Sequence, residues 1–161
     1  MIFNKTIGLI GARGNSKRIP KKNLIEINKF PLIAYSILAS RASKLIDKTI
    51  VYTEDSEIAE ASFFFEADIP FMRPKELAED NITDFQWISG FLAQYYKKFK
   101  EYPYYIAFLR PTTPLRELSV IESALTSVKE ESTSLRSVER LPEAIEKTFK
   151  IKEDFFFYFR K

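Results

Sequence analysis

Short apolar runs alternate with amphipathic segments along most of this chain. Each run has the length and residue types of a buried strand, and the segments between the runs have the spacing of helices. The predicted strands cover residues 5–11, 49–53, 69–72, 104–109 and 134–138. The predicted helices cover about 31–43, 56–65, 83–100 and 118–128. This alternation predicts a layered α/β fold with a mainly parallel sheet.

Two of these segments have a strong burial pattern. Residues 104–109 (YYIAFL) are almost wholly apolar and are bounded by Pro103 and Pro111, which is typical of a central strand buried on both faces. In the segment 83–100, apolar residues recur every three or four positions and predict one buried stripe. The stripe consists of Phe85, Ile88, Leu92, Tyr95 and Phe99. We interpret Trp87 and its aromatic neighbours as core residues, not as a cofactor site.

The composition limits the chemistry that the chain can perform. Its 161 residues fit one domain, which we expect to cover 1–161. The chain has no Cys and no His. Disulfides, thiolate or imidazole metal sites and histidine general bases are therefore excluded. Any metal must bind oxygen ligands, which points to Mg²⁺ or a similar hard cation.

The hydropathy pattern gives no sign of a membrane segment. No stretch approaches the ~20 consecutive apolar residues that cross a bilayer, and the apolar run in the first fourteen residues is too short for a signal peptide. We therefore expect no membrane partner and a cytosolic location.

A basic loop follows the first predicted strand. The net charge is only +3, yet five cations lie within ten residues that contain no acid: Arg13, Lys17, Arg18, Lys21 and Lys22. In parallel sheets, ligands bind beyond the carboxyl ends of the strands, where residues 53–55 and 110–114 also fall. We expect Gly11 and Gly14 to allow unusual backbone conformations and close ligand approach, and Ser16 to offer a hydroxyl. The loop therefore predicts a triphosphate site.

Other interpretations of this loop stay open on charge alone. The Walker A pattern and the GxGxxG fingerprint are both absent, so the loop belongs to neither of these phosphate-binding classes. A solvated basic loop or a nucleic-acid contact would have the same charge. The position after the first strand favours phosphate. Because no Lys/Arg-rich recognition helix and no interleaved aromatic residues occur, we expect no nucleic-acid partner.

Four segments in order resemble signature motifs of one enzyme family. They are GARGNSKRIPKKN (11–23), VYTEDSEIAE (51–60), PFMRPKELAED (70–80) and LRPTTPLR (109–116). Together they resemble the acylneuraminate cytidylyltransferases, the CMP-sialic acid synthetase family with its bacterial relatives acting on pseudaminic and legionaminic acids. The resemblance covers about residues 7–138. It implies a three-layer α/β/α nucleotide-diphospho-sugar transferase (Rossmann-like) fold with a mainly parallel sheet.

The resemblance also implies an activity. Members transfer CMP from CTP to the anomeric hydroxyl of a nine-carbon acidic sugar and release pyrophosphate with Mg²⁺. The implied partners are CTP and the sugar acid, and the complete domain would form a homodimer. A second hypothesis is a catalytically incomplete nucleotide-binding or assembly module of the same fold, which would bind CTP without releasing pyrophosphate.

The resemblance assigns roles to individual residues. Arg13 and Lys22 are the expected catalytic residues, and Lys22 is our first choice for the reacting phosphate. Arg13, Ser16, Lys17 and Lys22 would contact the triphosphate, Asn23 the nucleotide near its ribose, and Arg73 the cytosine. The full set expected to bind CTP is Gly11, Ala12, Arg13, Gly14, Asn15, Ser16, Lys17, Lys22, Asn23, Arg73, Ile82 and Asp84. Arg110 and Thr112 are expected at the sugar.

The chain departs from the family pattern in three places. Glu54 stands where the family usually has Asp, and Arg110 where relatives often have Gln. The later stretch with the family's Asp-x-Asp metal element has no counterpart, so the metal ligands are unknown. Five consecutive aromatic residues stand at 155–159, a run typical of a core or an interface. We expect an N-terminal portion of a longer protein or a shortened relative.

Overall fold

A computed structural model of the chain describes residues 6–16, 18–129, 131–138, 149–152 and 155–158. The chain divides into two compact units, Met1–Ser127 and Val128–Lys161. In the first unit the strands are β1 (Thr6–Gly11), β2 (Glu26–Ile27), β3 (Phe30–Pro31), β4 (Lys48–Tyr52) and β5 (Tyr105–Phe108). The helices are α1 (Leu32–Ala42), α2 (Ser56–Phe64), α3 (Asp84–Phe99) and α4 (Leu118–Thr126).

The main sheet has the strand order β4-β1-β5, and both pairings are parallel. Gly11 at the end of β1 is paired with Tyr52 at the end of β4, and Leu9 with Phe108 at the end of β5. All three strands therefore deliver the residues that follow them to one edge of the sheet. The expected parallel sheet is confirmed.

The helix boundaries follow from local capping. The Asp55 carboxylate accepts a hydrogen bond from the Ile58 amide, 3.0 Å away, and so starts α2. Thr83 and Gln86 form a capping box at the start of α3. Lys100, with φ 60°, takes the left-handed conformation that ends the same helix.

Helices cover both faces of the sheet. Ile10 of β1 packs in a cluster with residues of α1, α2 and α4, such as Ile33, Ile58 and Ile121. Ile7 and Leu9, which point to the opposite face, pack in a second cluster with Trp87, Phe91 and Tyr95 of α3. The alternation along β1 thus produces the expected three layers. None of the described helices has the length and apolar character that a bilayer crossing requires.

The position predicted for residues 104–109 is wrong. Among the described strands β1 is the central one, whereas β5 lies at an edge and its four residues are half-buried. Ile106 and Phe108 pack against the α3 cluster, and this contact accounts for much of their apolar character. An apolar run indicates apolar surroundings, but it does not show whether a strand lies at the centre or at the edge of a sheet.

Two further predicted strands are absent from the described part of the chain. Near residues 69–72 only a single bridge forms, between Asp68 and Ile50. Pro70 has no amide hydrogen to continue a ladder, and Pro74 follows shortly after. Residues 134–138 are exposed and form no strand pairing with the described part of the chain.

The buried stripe of α3 is displaced from the predicted one. Its fully covered residues are Trp87, Phe91 and Tyr95, whereas Phe85 is 81% exposed. The apolar face of this helix is wider than one row of side chains. Because the face is centred on Trp87, it leaves Phe85 at the solvent margin.

The described residues of the second unit include an antiparallel pair of strands. Its strands are β6 (Phe149–Lys152) and β7 (Phe155–Tyr158), and Phe149 is paired with Tyr158. The aromatic run 155–159 thus contributes a strand as far as Tyr158. Phe159 lies outside the described residues, as do Lys5 and Lys17.

Gly11 provides a test of the packing at the sheet edge. A β-carbon at this position would lie 2.6 Å from the ring of Trp87. We expect Gly11→Ala to lower the free energy of unfolding by about 1–3 kcal/mol, because the rigid indole must shift. Urea unfolding measures this loss.

Gly90→Ala is the matched control. Gly90 lies inside α3, and its added methyl would meet only the flexible end of Leu77. Alanine also favours the helix, so we expect this variant to stay within about 1 kcal/mol of the wild type. Equal losses in the two variants would contradict the packing described here.

Candidate functional site

A cleft of about 270 Å³ opens at the carboxyl edge of the sheet. Ten of the residues predicted from the sequence line it: Gly11, Arg13, Ser16, Lys22, Asn23, Arg73, Ile82, Asp84, Arg110 and Thr112. The other lining residues are Glu79, Asp80, Trp87, Phe108 and Pro111. The parallel sheet thus brings three distant segments of the chain to one place.

Three predicted residues do not line the cleft. Ala12 is buried in the core, and its amide donates to the Tyr52 carbonyl at 3.1 Å. The Gly14 amide donates to Glu54 Oε1 at 2.8 Å. Asn15 is exposed, and Lys17 lies outside the described residues. The amides of Ala12 and Gly14 are therefore committed to the protein itself.

The two loop glycines have a packing role that the sequence analysis missed. None of the chain's four glycines, all of them in the described ranges, has a positive φ, so the expected unusual conformation is wrong. Gly11 leaves room for the Trp87 ring. Gly14 leaves room for the Asp55 carboxylate. Both glycines allow neighbouring side chains to approach the loop closely.

One hydrogen bond within the loop and one ion pair to α2 fix the path of the loop. Asn23, which is buried, donates from Nδ2 to the Arg13 carbonyl at 3.0 Å. Lys21 takes a left-handed conformation and contacts Glu57 of α2 at 2.5 Å. The hydrogen bond to Glu57 raises the pKa of the Lys21 ammonium. Lys21 therefore ties the loop to α2, while Lys22 lines the cleft.

Two aspartates face the arginines of the cleft. Asp80 lies 2.7 Å from Arg13 Nη1. Asp84 Oδ2 accepts from Arg110, and its Oδ1 accepts from Trp87 Nε1 at 3.0 Å. The segment 79–84 thus supplies counter-charges for two separate cations. In the sequence, the only indication of these ion pairs is the pair of acidic residues that follows the RPKEL motif.

No group of three or more acidic residues that could bind a metal ion occurs among the described residues. The carboxylates that line the cleft are instead Glu79, Asp80 and Asp84, and the last two contact arginines. A resident cation held by protein oxygens alone does not fit this arrangement.

Arg73 is the most deeply buried cation at the cleft, with 7% of its surface exposed. Its guanidinium lies 5.1 Å from the Trp87 ring and 5.9 Å from the Tyr52 ring, and Nη2 donates to the Leu77 carbonyl. Its Nε is buried without a hydrogen-bond partner among the described residues. Burial lowers the pKa of Arg73, while the nearby Glu54 carboxylate opposes that shift.

Comparison with known proteins identifies the family. The profile of the cytidylyltransferase family matches residues 7–153. The chain belongs to this family. The resemblance stated from the four sequence motifs is therefore confirmed.

Individual relatives of this cytidylyltransferase-family chain are longer than the chain itself. It is 29% identical over 151 residues to a pseudaminic acid cytidylyltransferase of Campylobacter jejuni, covering 93% of this chain and 65% of the relative. It is 34% identical over 123 residues to an N-acylneuraminate cytidylyltransferase of Escherichia coli, covering 75% of this chain and 27% of the relative. The chain therefore spans less than two thirds of the length of these relatives.

A solved structure supports the fold. The chain resembles a CMP:2-keto-3-deoxy-manno-octonic acid synthetase complexed with CTP, with a TM-score of 0.63 and 20% identity. The match covers 76% of this chain and 46% of the synthetase. The predicted nucleotide-diphospho-sugar transferase fold is confirmed by this likeness.

The Tyr52 hydroxyl, which donates to Gln94 Oε1 at 2.9 Å, gives the fold a testable pH dependence. Burial raises the pKa of Tyr52 to about 12, although the Arg73 charge opposes that shift. In the unfolded chain a tyrosine ionises near pH ~10. The unfolded state therefore loses this proton first, and the free energy of unfolding should fall as the pH rises from about 10 to 12.

Tyr52→Phe should show a shallower fall than the wild type, measured by urea unfolding at a series of alkaline pH values. Tyr102→Phe, at an exposed position, is the control and should keep the wild-type slope. If Tyr52→Phe also kept the wild-type slope, Tyr52 would not be the group responsible.

Proposed function

We propose that this cleft binds CTP and that the protein transfers CMP to the anomeric hydroxyl of a nine-carbon acidic sugar, releasing pyrophosphate. One observation carries the proposal: the cationic loop, the buried Arg73 and the segment 110–112 line a single cleft. Family membership and the names of the relatives support it. A cytosolic location is part of this proposal, because nucleoside triphosphates are abundant there.

The nucleotide would lie across the cleft from the loop to Arg73. Arg13, Ser16 and Lys22 are our candidates for contacts with the triphosphate, together with Lys17. Arg13 can bind phosphate oxygens in a fork, and Lys22 provides a point charge. Asn23 is our candidate for a contact near the ribose.

The cytosine would lie near Arg73, Ile82 and Asp84. The unpartnered Nε of Arg73 supports this assignment, because a buried donor without an acceptor is costly unless a ligand supplies one. The Trp87 and Tyr52 rings hold the guanidinium in place. Arg110 and Thr112 remain our candidates for contacts with the sugar acid.

The chemistry requires positioning and charge neutralisation. The anomeric hydroxyl releases its proton to solvent water and its oxygen forms a bond to the α-phosphorus. The bond from that phosphorus to the oxygen bridging to the β-phosphate breaks. Negative charge then grows on the departing pyrophosphate. Arg13 and Lys22 would stabilise that charge, and they accelerate the reaction only if they bind the transition state more tightly than CTP.

Binding of the triphosphate would rearrange one ion pair. Arg13 contacts Asp80 at 2.7 Å, and both side chains are partly exposed. A triphosphate carries more negative charge than one carboxylate, so it would compete with Asp80 for the guanidinium.

Mg²⁺ is the metal that we propose, bound mainly to the phosphate oxygens of CTP. Mg²⁺ in such sites keeps several waters and uses one or two carboxylates. Asp80 or Asp84 could supply one of these carboxylates, and CTP and water would supply the other oxygen ligands. The homodimer expected for the complete domain stays a prediction.

Pyrophosphate release from CTP is the direct test of the activity. The assay contains CTP and Mg²⁺ with sialic, legionaminic or pseudaminic acid in turn. We expect release with at least one acid, and we expect CTP to raise the melting temperature more than ATP does. Stabilisation by CTP without release would support the binding or assembly module, and no response to CTP would contradict both functions.

Lys22 is the residue whose loss should matter most. We expect Lys22→Ala to lower kcat by at least about 10²–10³-fold, because a charge at the reacting phosphate is removed. Lys21→Ala is the neighbouring control, since Lys21 contacts Glu57 instead of lining the cleft. It should retain most of the wild-type rate. Equal rates for the two variants would contradict the role of Lys22.

A further inference from the structure

The turn that carries Arg110 and Thr112 into the cleft is held by one carbonyl oxygen. The Arg110 carbonyl accepts three hydrogen bonds: from the Thr113 amide at 3.2 Å, from Ser36 Oγ at 3.2 Å and from Arg116 Nη2 at 2.9 Å. Two of the donors are side chains from outside residues 110–113. The backbone at Arg110 is therefore fixed to other parts of the fold.

Ser36 is the fixed point of this arrangement. It lies in α1 and is fully buried. Its hydroxyl donates to the Arg110 carbonyl and accepts from Arg116 Nη1 at 3.2 Å. The same guanidinium thus reaches both the turn and the helix.

Arg116 is half-buried, and burial lowers the pKa of its guanidinium. Within the described part of the chain, its hydrogen bonds go to two neutral oxygens, those of Ser36 and Arg110. Burial of a cation costs free energy unless hydrogen bonds or an opposite charge compensate for the lost water. The forked shape of arginine allows both contacts at once, which a lysine cannot reproduce.

The side chain of Arg110 is held as well. Its guanidinium contacts Asp84 and lies 5.1 Å from the Phe108 ring. The carbonyl of Arg110 fixes the path of the turn, and the side chain of Arg110 extends from that turn. The position of its guanidinium therefore depends on the path of the turn. A shift of the turn would move Arg110 and Thr112 together.

We propose that Arg116 is a positioning residue, which together with Ser36 sets the turn so that Arg110 and Thr112 meet the acidic sugar. The inference rests on the proposed function for the identity of the ligand. This proposal assigns different ligands to two parts of the cleft. Arg116 would position the residues that contact the sugar acid, whereas the cationic loop would contact CTP.

The kinetic test compares Arg116→Lys with the wild type. We expect the KM for the sugar acid to rise about tenfold, with the KM for CTP within about twofold, because hydrogen bonds that hold only the turn are lost. Arg41→Lys is the matched control. Arg41 lies in α1 and, like Arg116, donates hydrogen bonds with its guanidinium, but its acceptors are the Phe65 carbonyl and the Glu66 carboxylate, away from the cleft. It should leave both KM values unchanged.

A parallel rise in both KM values would mean that Arg116 only supports the fold, and it would overturn the proposal. Ser36→Ala removes the same anchor from α1 and keeps the proposal testable should Arg116→Lys fold poorly. It should raise the KM for the sugar acid by about threefold, again without changing that for CTP. An unchanged KM for the sugar acid in the folded variants would also overturn the proposal.

A second measurement does not need turnover. The Thr113 amide donates to the Arg110 carbonyl, so its hydrogen exchange reports on the turn. We expect exchange at Thr113 to be about tenfold faster in Arg116→Lys and unchanged in Arg41→Lys. If the wild type released no pyrophosphate, the proposed function would fail, but this exchange would still decide whether Arg116 holds the turn. Equal exchange in the two variants would overturn the proposal.

Discussion

Parallel pairing on both sides of β1 is the constraint on which the site depends. The register joins Gly11 to Tyr52 and Leu9 to Phe108, so three strands end at the same edge. Without that register, the basic loop, Arg73 and the turn at Arg110 would not line one cleft. The alternation of apolar side chains along β1, which fills two separate clusters, fixes the register through burial on both faces.

Charge organises the cleft once the sheet has formed it. Arg13 and Arg110 are each opposed by an aspartate, whereas Arg73 is buried against aromatic rings. The first two cations can exchange partners with a ligand at modest cost, because they are partly exposed. Arg73 cannot rearrange as easily, and a ligand must therefore fit it in place. A cleft that combines two partly exposed cations with one buried cation suits the ligand that we propose, a polyanion with a base attached.

Much of this arrangement could be predicted from the sequence, because strand ends and motif order determine which segments meet. The fold class, the four helices and ten of the residues that line the cleft follow from periodicity and from the family motifs. Side-chain partners could not be predicted in the same way. Gly11 makes room for Trp87, and Arg116 holds a distant carbonyl; both depend on three-dimensional packing that no local pattern encodes. The prediction that β5 is a central strand was also wrong, because the apolar character of a segment indicates its burial and not its place in the strand order.

The most direct measurement of the central claim uses Trp87, the chain's single tryptophan, which lines the cleft. Titration with CTP and Mg²⁺, followed by tryptophan fluorescence, should give a saturable change, because a bound nucleotide alters the surroundings of the indole. ATP should give a much weaker response, and Arg73→Met should abolish the response to CTP. A fluorescence signal that is unaffected by CTP, or that responds equally in Arg73→Met, would contradict the assignment of this cleft to a cytidine nucleotide.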